Sequence, residues 1–368
     1  MRQIRKLSAL AVALCLFSMP ASAQSLADTF AAAYRSSDLL EQNRALLRAA
    51  DEDVAIAVAT LRPVLNFVAN ARTTYNSSPT GPNSTTQTFG IGLDASLTLI
   101  DFGRGRLARE AAEAQVLATR QALLNVEQQV LLNAVVAFMD VRSSSEAVAL
   151  SQATLRVINQ ELSAARERFE LGEITRTDVS LAEARLAAAR SQLAAAEGDL
   201  AAAREDYKLV TGQYPSQLRP PPKLPGTASA LEVAQDVARR THPTIAQAQY
   251  SVKVAELRAE TAYAQRHGTV AATADVGRQI TNRGGDANSA SAGISYSRPI
   301  YQGGRLSAEH RKANALRDEA RSSLHQTVAQ VLQNVAVAWA NVDVATARIS
   351  ASQQQVRASE SAFEGTRE

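Results

Sequence analysis

Two periodicities divide the chain. Between Leu107 and Phe169 apolar residues recur at steps of three and four. Leu123, Val126, Val130, Ala134, Ala137 and Val141 come first, then Leu155, Ile158, Leu162, Ala165 and Phe169. No Pro or Gly interrupts residues 106–171. The pattern predicts one helix over 104–168, about 98 Å long at about 1.5 Å per residue. Ordinary globular helices have about 11–12 residues, so this segment reads as a coiled-coil arm. Residues 175–211 supply the returning arm. Leu186, Leu193 and Leu200 share one heptad position, and Ala182, Ala189, Ala196 and Ala203 share another. Glu183, Arg190, Glu197 and Arg204 occupy a third, with alternating charge. Small residues at a seam let helix backbones approach closely. Gly172 is placed as a C-cap and Thr175 as an N-cap, so 104–211 is a helical hairpin.

The second periodicity is two. Over 86–100, Phe89, Ile91, Leu93, Ala95, Leu97 and Leu99 alternate with Thr88, Gly90, Gly92, Asp94, Ser96 and Thr98. Over 64–75, Leu65, Phe67, Ala69 and Ala71 alternate with Asn66, Asn70 and Arg72. Pro79, Gly81 and Pro82 mark the turn between them. Each strand is long enough for a transmembrane barrel, which needs about 9–11 residues. A weaker hairpin is predicted at 269–279 and 289–300, turning at Asn282–Asp286.

The second hairpin belongs to an internal repeat. Ile300-Tyr301-Gln302-Gly303-Gly304-Arg305 aligns with Leu99-Ile100-Asp101-Phe102-Gly103-Arg104, 201 positions earlier. At that offset Asn133, Ala137, Phe138 and Val141 meet Asn334, Ala338, Trp339 and Val342. Upstream, a helix over 25–61 matches one over 230–264, with Asp38-Leu39-Leu40 against Pro243-Thr244-Ile245. The plan is residues 24–211 as repeat one, a Pro-rich linker at 212–229, and 230–368 as repeat two, whose long helix starts near 303. Copy two stops at Glu368, the partner of Glu167, so a further tip and a returning helix are expected beyond it. The predicted fold is mainly α with a small β part: two tandem repeats of helix, β-hairpin, long helix and helix.

Four strands with an apolar face cannot close a barrel alone. Closure takes about eight or more, and open edges are costly in hydrocarbon. Several chains are therefore expected to share one barrel, with the polar helical arms projecting from it into the periplasm.

Composition then fixes the compartment. Arg2, Arg5 and Lys6 precede an apolar run from Leu7 to Met19, and Ala21-Ser22-Ala23 is a cleavage site, so residues 1–23 read as a signal peptide. Its removal takes away the single Cys, Cys15, and three of the 39 basic residues. Basic and acidic residues then balance at 36 each, and nucleic-acid binding has no electrostatic support. No later segment has about 18 consecutive apolar residues. His242, His267, His310 and His325 are scattered, with no metal-binding spacing. Asp101-Phe102-Gly103 resembles a metal-holding kinase motif, but its twin in copy two carries Gln302. We therefore read Asp101, Gly103, Arg104, Gly304 and Arg305 as a collar where strand becomes helix. Asp94 and Arg72, on polar strand faces, are expected to face a barrel lumen. No enzyme chemistry and no cofactor are expected.

With these features in hand, the chain resembles the TolC-like outer-membrane efflux proteins over about 24–368. The resemblance rests on the collar pair LIDFGR and IYQGGR, the tip RFELGEITRTDV at 168–179, and the segments at 38–40 and 242–245. It implies a homotrimer with a shared barrel above a helical tunnel, in contact with outer-membrane lipid. It also implies export of small molecules or unfolded proteins, with a periplasmic adaptor and an inner-membrane pump or ABC transporter as partners. Gly172, Ile174, Thr175 and Val179 would then dock the adaptor, and Asp178 would help gate the periplasmic entrance. A structural, adhesin-like coiled-coil protein is the alternative.

Overall fold

The computed structural model describes residues 24–365 apart from 224 and 283. The expected signal peptide with Cys15, Arg283 of the second turn, and Glu368 lie outside the described residues. Eleven elements follow in chain order. They are α1 (Leu26–Ser36), α2 (Asp38–Ala59), β1 (Val64–Asn76), β2 (Ser84–Ile100), α3 (Arg104–Glu170) and α4 (Arg176–Thr211). After the linker come α5 (Leu231–Thr241), α6 (Pro243–Ala264), β3 (Thr269–Thr281), β4 (Gly285–Ser297) and α7 (Arg305–Gly365). The chain forms two compact units. One comprises residues through Gln42 with Asn125–Gly226, the other Asn43–Leu124 with the chain from Thr227 onward.

The single helix expected at the start of each copy is broken in two. Ser37 takes an extended conformation, and its Oγ accepts from the Leu40 amide. His242 is extended because it precedes Pro243, whose ring disfavours helical geometry at the residue before it. The His242 Nδ1 then accepts from the Thr244 amide and starts α6.

In the first unit the predicted seam is the buried one. Leu186, Ala189, Ala203 and Tyr207 of α4 are buried, while Glu183, Arg190, Glu197 and Arg204 stay exposed. Ala203 and Tyr207 join Ala137, Phe138 and Val141 of α3 in one apolar cluster. The Tyr207 hydroxyl lies 2.9 Å from Thr29 Oγ1, a buried pair that ties α1 to α4. Burial raises the Tyr207 pKa above its ordinary value, and the Thr29 hydrogen bond opposes that shift. Within α3 an 18-residue window reaches a mean hydropathy of 1.4, the composition of a membrane span. The apolar run in α3 from Val130 to Val141 instead supplies Phe138 and its neighbours to this helix packing.

In the second unit the four strands form one antiparallel sheet in the order β1-β2-β3-β4. Val64 faces Ser96 at the base of the first hairpin, and Thr269 faces Ser297 at the base of the second. The return strand of the second hairpin differs from expectation. It runs from Gly285 to Ser297 rather than over 289–300, because Thr281 pairs directly with Gly285. Gly284, at φ 76°, supplies the left-handed residue that so short a loop requires. At the other end Pro299 has no N–H to extend the ladder. Below the sheet, Leu107 and Ala114 of α3 pack against Val254, Leu257 and Ala264 of α6.

Candidate functional site: sheet face, collar and tip

The sheet inverts the usual distribution of polarity. In β2, Phe89, Ile91 and Leu93 are exposed, while Ser84, Thr86, Thr88, Gly92 and Asp94 on the other face are half-buried. The register extends both faces across the strands. Phe67, Leu93 and Val276 share an apolar row, as do Leu97, Ala272 and Ile294. Ile294 is 74% exposed and Phe67 71%, an arrangement suited to hydrocarbon.

On the polar face, Asn66, Asp94, Asp275 and Ser291 form one row. Asn66 Nδ2 donates to Asp94 Oδ2 at 3.0 Å, and Ser291 Oγ donates to Asp275. Two carboxylates thus lie directly opposite one another, a pairing that costs stability. Asp94 stands out in the alternation of β2, whereas Asp275 was not among the expected lumen residues. The alternation of β3 carries the signal, but only the β2–β3 register brings the two together.

The collar is a backbone device. Phe102 and Gly103 take positive φ values of 57° and 86°, and their twins Gly303 and Gly304 take 60° and 83°. The chain therefore makes the same left-handed step at both strand-to-helix joins. Asp101 Oδ1 accepts from the Gly103 amide at 3.0 Å, and Oδ2 accepts from the Gly105 amide. Its carboxylate satisfies backbone donors that a helix start otherwise leaves without partners. Arg104 donates to the Asp101 carbonyl at 3.2 Å and to Thr269 Oγ1 at the base of β3. Arg305 is held by Gln302 and by Glu309, the latter at 2.8 Å. The Phe102 ring stacks 5.6 Å from His267.

Gly105 was not singled out from sequence. A Cβ there would run into the Leu61 side chain and come within 2.8 Å of Asp101 Oδ2. Its twin is Leu306, so the repeat alignment holds the clue. Among the described residues no group of His, Cys, Asp and Glu is placed to hold a metal ion.

The tip joins α3 to α4. The Glu173 amide donates to the Arg168 carbonyl and the Gly172 amide to the Phe169 carbonyl, both at 2.9 Å. With Gly172 at φ 77° this is a Schellman motif. Asp178 then reaches back to the N-cap. Its Oδ2 accepts from the Thr175 amide at 2.8 Å and from Thr175 Oγ1 at 2.7 Å. These bonds, the hydroxyl one foremost, hold the Asp178 carboxyl below its usual pKa. Ile174 is half-buried beside exposed Gly172 and Thr175, and half-buried Val179 follows Asp178 in the first turn of α4. Arg166 and Glu183 bridge the two arms just above, at 2.7 Å.

A four-stranded sheet with an exposed apolar face, continued through two left-handed collars into long helices, has the build of an outer-membrane protein. Residues 31–213 and 235–368 match the outer membrane efflux proteins, and the chain belongs to that family. Outer membrane efflux protein BepC of Brucella suis is 33% identical over 304 residues, covering 82% of this chain and 66% of its own. The chain thus spans just under two thirds of that relative's length. The fold agrees with the solved structure of CusC, with a TM-score of 0.77 at 20% identity, covering 90% of this chain and 79% of that one. It also agrees with the open state of the Neisseria gonorrhoeae MtrE outer membrane channel, with a TM-score of 0.75 at 21% identity, covering 91% and 77%.

Proposed function

We propose that the chain is one subunit of an outer-membrane exit duct, which receives small molecules from a periplasmic adaptor and an inner-membrane pump and releases them outside. The observation that carries this reading is the inverted sheet, with exposed Phe67, Leu93 and Ile294 on one face and the Asn66–Ser291 polar row on the other. Family membership and the name of the Brucella relative favour efflux over protein secretion. In this reading residues 1–23 are removed, 24–211 and 230–368 act as two repeats, and three copies share the barrel. Asp94, Asp275 and Arg72 line its lumen. The tip residues Gly172, Ile174, Thr175 and Val179 meet the adaptor, and Asp178 both caps α4 and narrows the entrance.

Deleting the gene in its host and measuring susceptibility to dyes and detergents tests the proposal. Sensitisation that the intact gene reverses is expected. Unchanged susceptibility to every compound class would refute it.

A further inference from the structure

The apolar face of the sheet ends at a definite level. Phe89 and Leu99 of β2 stand ten positions apart. At about 3.3 Å per residue and a strand tilt of about 35–45°, the face is about 25 Å tall, the height of a barrel's apolar band. Its lowest row holds Val270 and Tyr296. Tyr296 is 58% exposed, and its ring covers Gly268, where a Cβ would overlap it. A tyrosine at the edge of an apolar band marks the headgroup level.

Next to Gly268, and continuing away from the sheet, lies a cleft of about 560 Å³ between α6 and α7, with Phe102 and His267 at its sheet end. Its direction follows from α6. Thr261 and Gln265 share a second cavity with Thr98, Thr269 and Ser297 of the polar sheet face. Glu256, Glu260 and Tyr263 line the first cleft. At about 100° per residue they lie on the side of α6 away from Thr261 and Gln265. The cleft therefore continues the apolar face of the sheet and turns its back on the polar one.

The two walls run antiparallel. Near the sheet, the Tyr263 and His310 rings stand 5.5 Å apart. At the far end, Glu256 pairs with Arg321 at 2.6 Å, and Arg317 is engaged by Asp318 at 2.9 Å. Two charges at the cleft have no ion-pair partner among the described residues. One is Arg266, whose guanidinium stands 5.4 Å from the Tyr263 ring centroid. The other is exposed Glu260. Six positions, about 9 Å at helical rise, keep them from pairing with each other.

We propose that this cleft holds the headgroup of a zwitterionic phospholipid, of the phosphatidylethanolamine kind, from the periplasmic leaflet. The inference rests on the apolar sheet face meeting hydrocarbon. Arg266, nearer the membrane, takes the phosphate, and Glu260, one to two turns below, takes the primary ammonium. The acyl chains rise along Tyr296 and Ile294. The order of charges selects the lipid. A purely anionic headgroup satisfies Arg266 but repels Glu260, whereas a zwitterion answers both. Continuity with the apolar face makes the source a membrane lipid rather than a free phosphate ester.

Flotation and native mass spectrometry together test the site. The full-length protein is reconstituted into vesicles of phosphatidylethanolamine and phosphatidylglycerol in equal amounts, floated on a density gradient, and released for counting of retained lipids. The native protein floats and retains phosphatidylethanolamine about fivefold over phosphatidylglycerol, the scale of one exposed charge pair. Glu260→Gln abolishes that preference. Arg266→Gln lowers retention of both lipids and leaves their ratio unchanged. Equal retention of the two lipids by the native protein, or a preference that survives Glu260→Gln, overturns the headgroup site alone. Displacement of the lipid by an equal concentration of soluble phosphoethanolamine overturns the membrane source. Failure of the native protein to float removes the lipid-facing reading of the sheet, and the site with it.

Discussion

Replacing Asp101 by Asn separates a helix cap from a chemical role. Both carboxylate oxygens accept backbone amides, Gly103 on one and Gly105 on the other. Asn keeps one acceptor oxygen and turns an NH2 group toward the second amide, so one charge-assisted bond is lost. An N-cap of this kind contributes about 1 kcal/mol. Removing a negative charge from a helix N-terminus costs about 0.3–1 kcal/mol more. The total, about 1.5 kcal/mol, corresponds to roughly a tenfold rise in local opening. Hydrogen exchange followed by mass spectrometry on membrane-embedded protein reads this directly. The peptide containing Gly103–Leu107 should exchange about tenfold faster, with tip peptides unchanged and dye resistance retained. Gln302→Asn should do less, since Gln302 holds the Arg305 side chain rather than amides of its own helix. Unchanged exchange at the collar would refute the capping argument. Loss of export with an intact collar would restore a chemical role to Asp101.

Other changes test other levels of the structure. Tyr207→Phe removes the buried partner of Thr29 and should lower stability by about 1–2 kcal/mol, seen as a reduced midpoint in denaturant; adding Thr29→Val should recover part of it. Gly172→Ala meets no atom within 4 Å but must hold φ at 77°, so it should cost about 1–2 kcal/mol at the tip through backbone strain alone, measurable as faster exchange of residues 169–175. Asp178 has a folded-state pKa below its ordinary value. Its contribution is therefore complete above the ordinary carboxylate pKa and is lost as pH falls through the lowered one. Tip exchange should accelerate in that acid range, and Asp178→Asn should abolish the pH dependence.

Most of the fold was legible because each element carries a strong period. The α4 heptads predicted which residues are buried, since a long helix has only one stripe to offer its neighbour. Alternation at Phe89–Leu99 marked the apolar face of β2. What stayed hidden depends on a single residue or on pairing. Ser37 and His242 each break a helix whose apolar pattern runs on across the break. Thr281 pairing with Gly285 moved β4 toward its turn, because a Gly-rich stretch has no period to mark where a strand resumes. The juxtaposition of Asp94 with Asp275 is set by the β2–β3 register between residues 181 apart in the chain, which no local pattern encodes.

The collar separates what a repeat must keep from what it can vary. Four residues at two joins share one backbone path, yet only three are glycine. Phe102 bears a left-handed conformation that Gly303 adopts without a side chain to hinder it. The extra cost at Phe102 is offset where its ring meets His267. Around that same join, Asp101 caps the helix and Gly105 admits Leu61, whereas the twin positions hold Gln302 and Leu306. Copy one's join lies inside the sheet, with β3 as neighbour, and Arg104 already finds Thr269 there. Copy two's join lies at the free edge, where Ile300 and Tyr301 are 97% and 86% exposed. The divergence between the copies thus follows position in the sheet. The inner join is fitted to a neighbour that the chain itself provides, and the outer one has no such neighbour among the described residues.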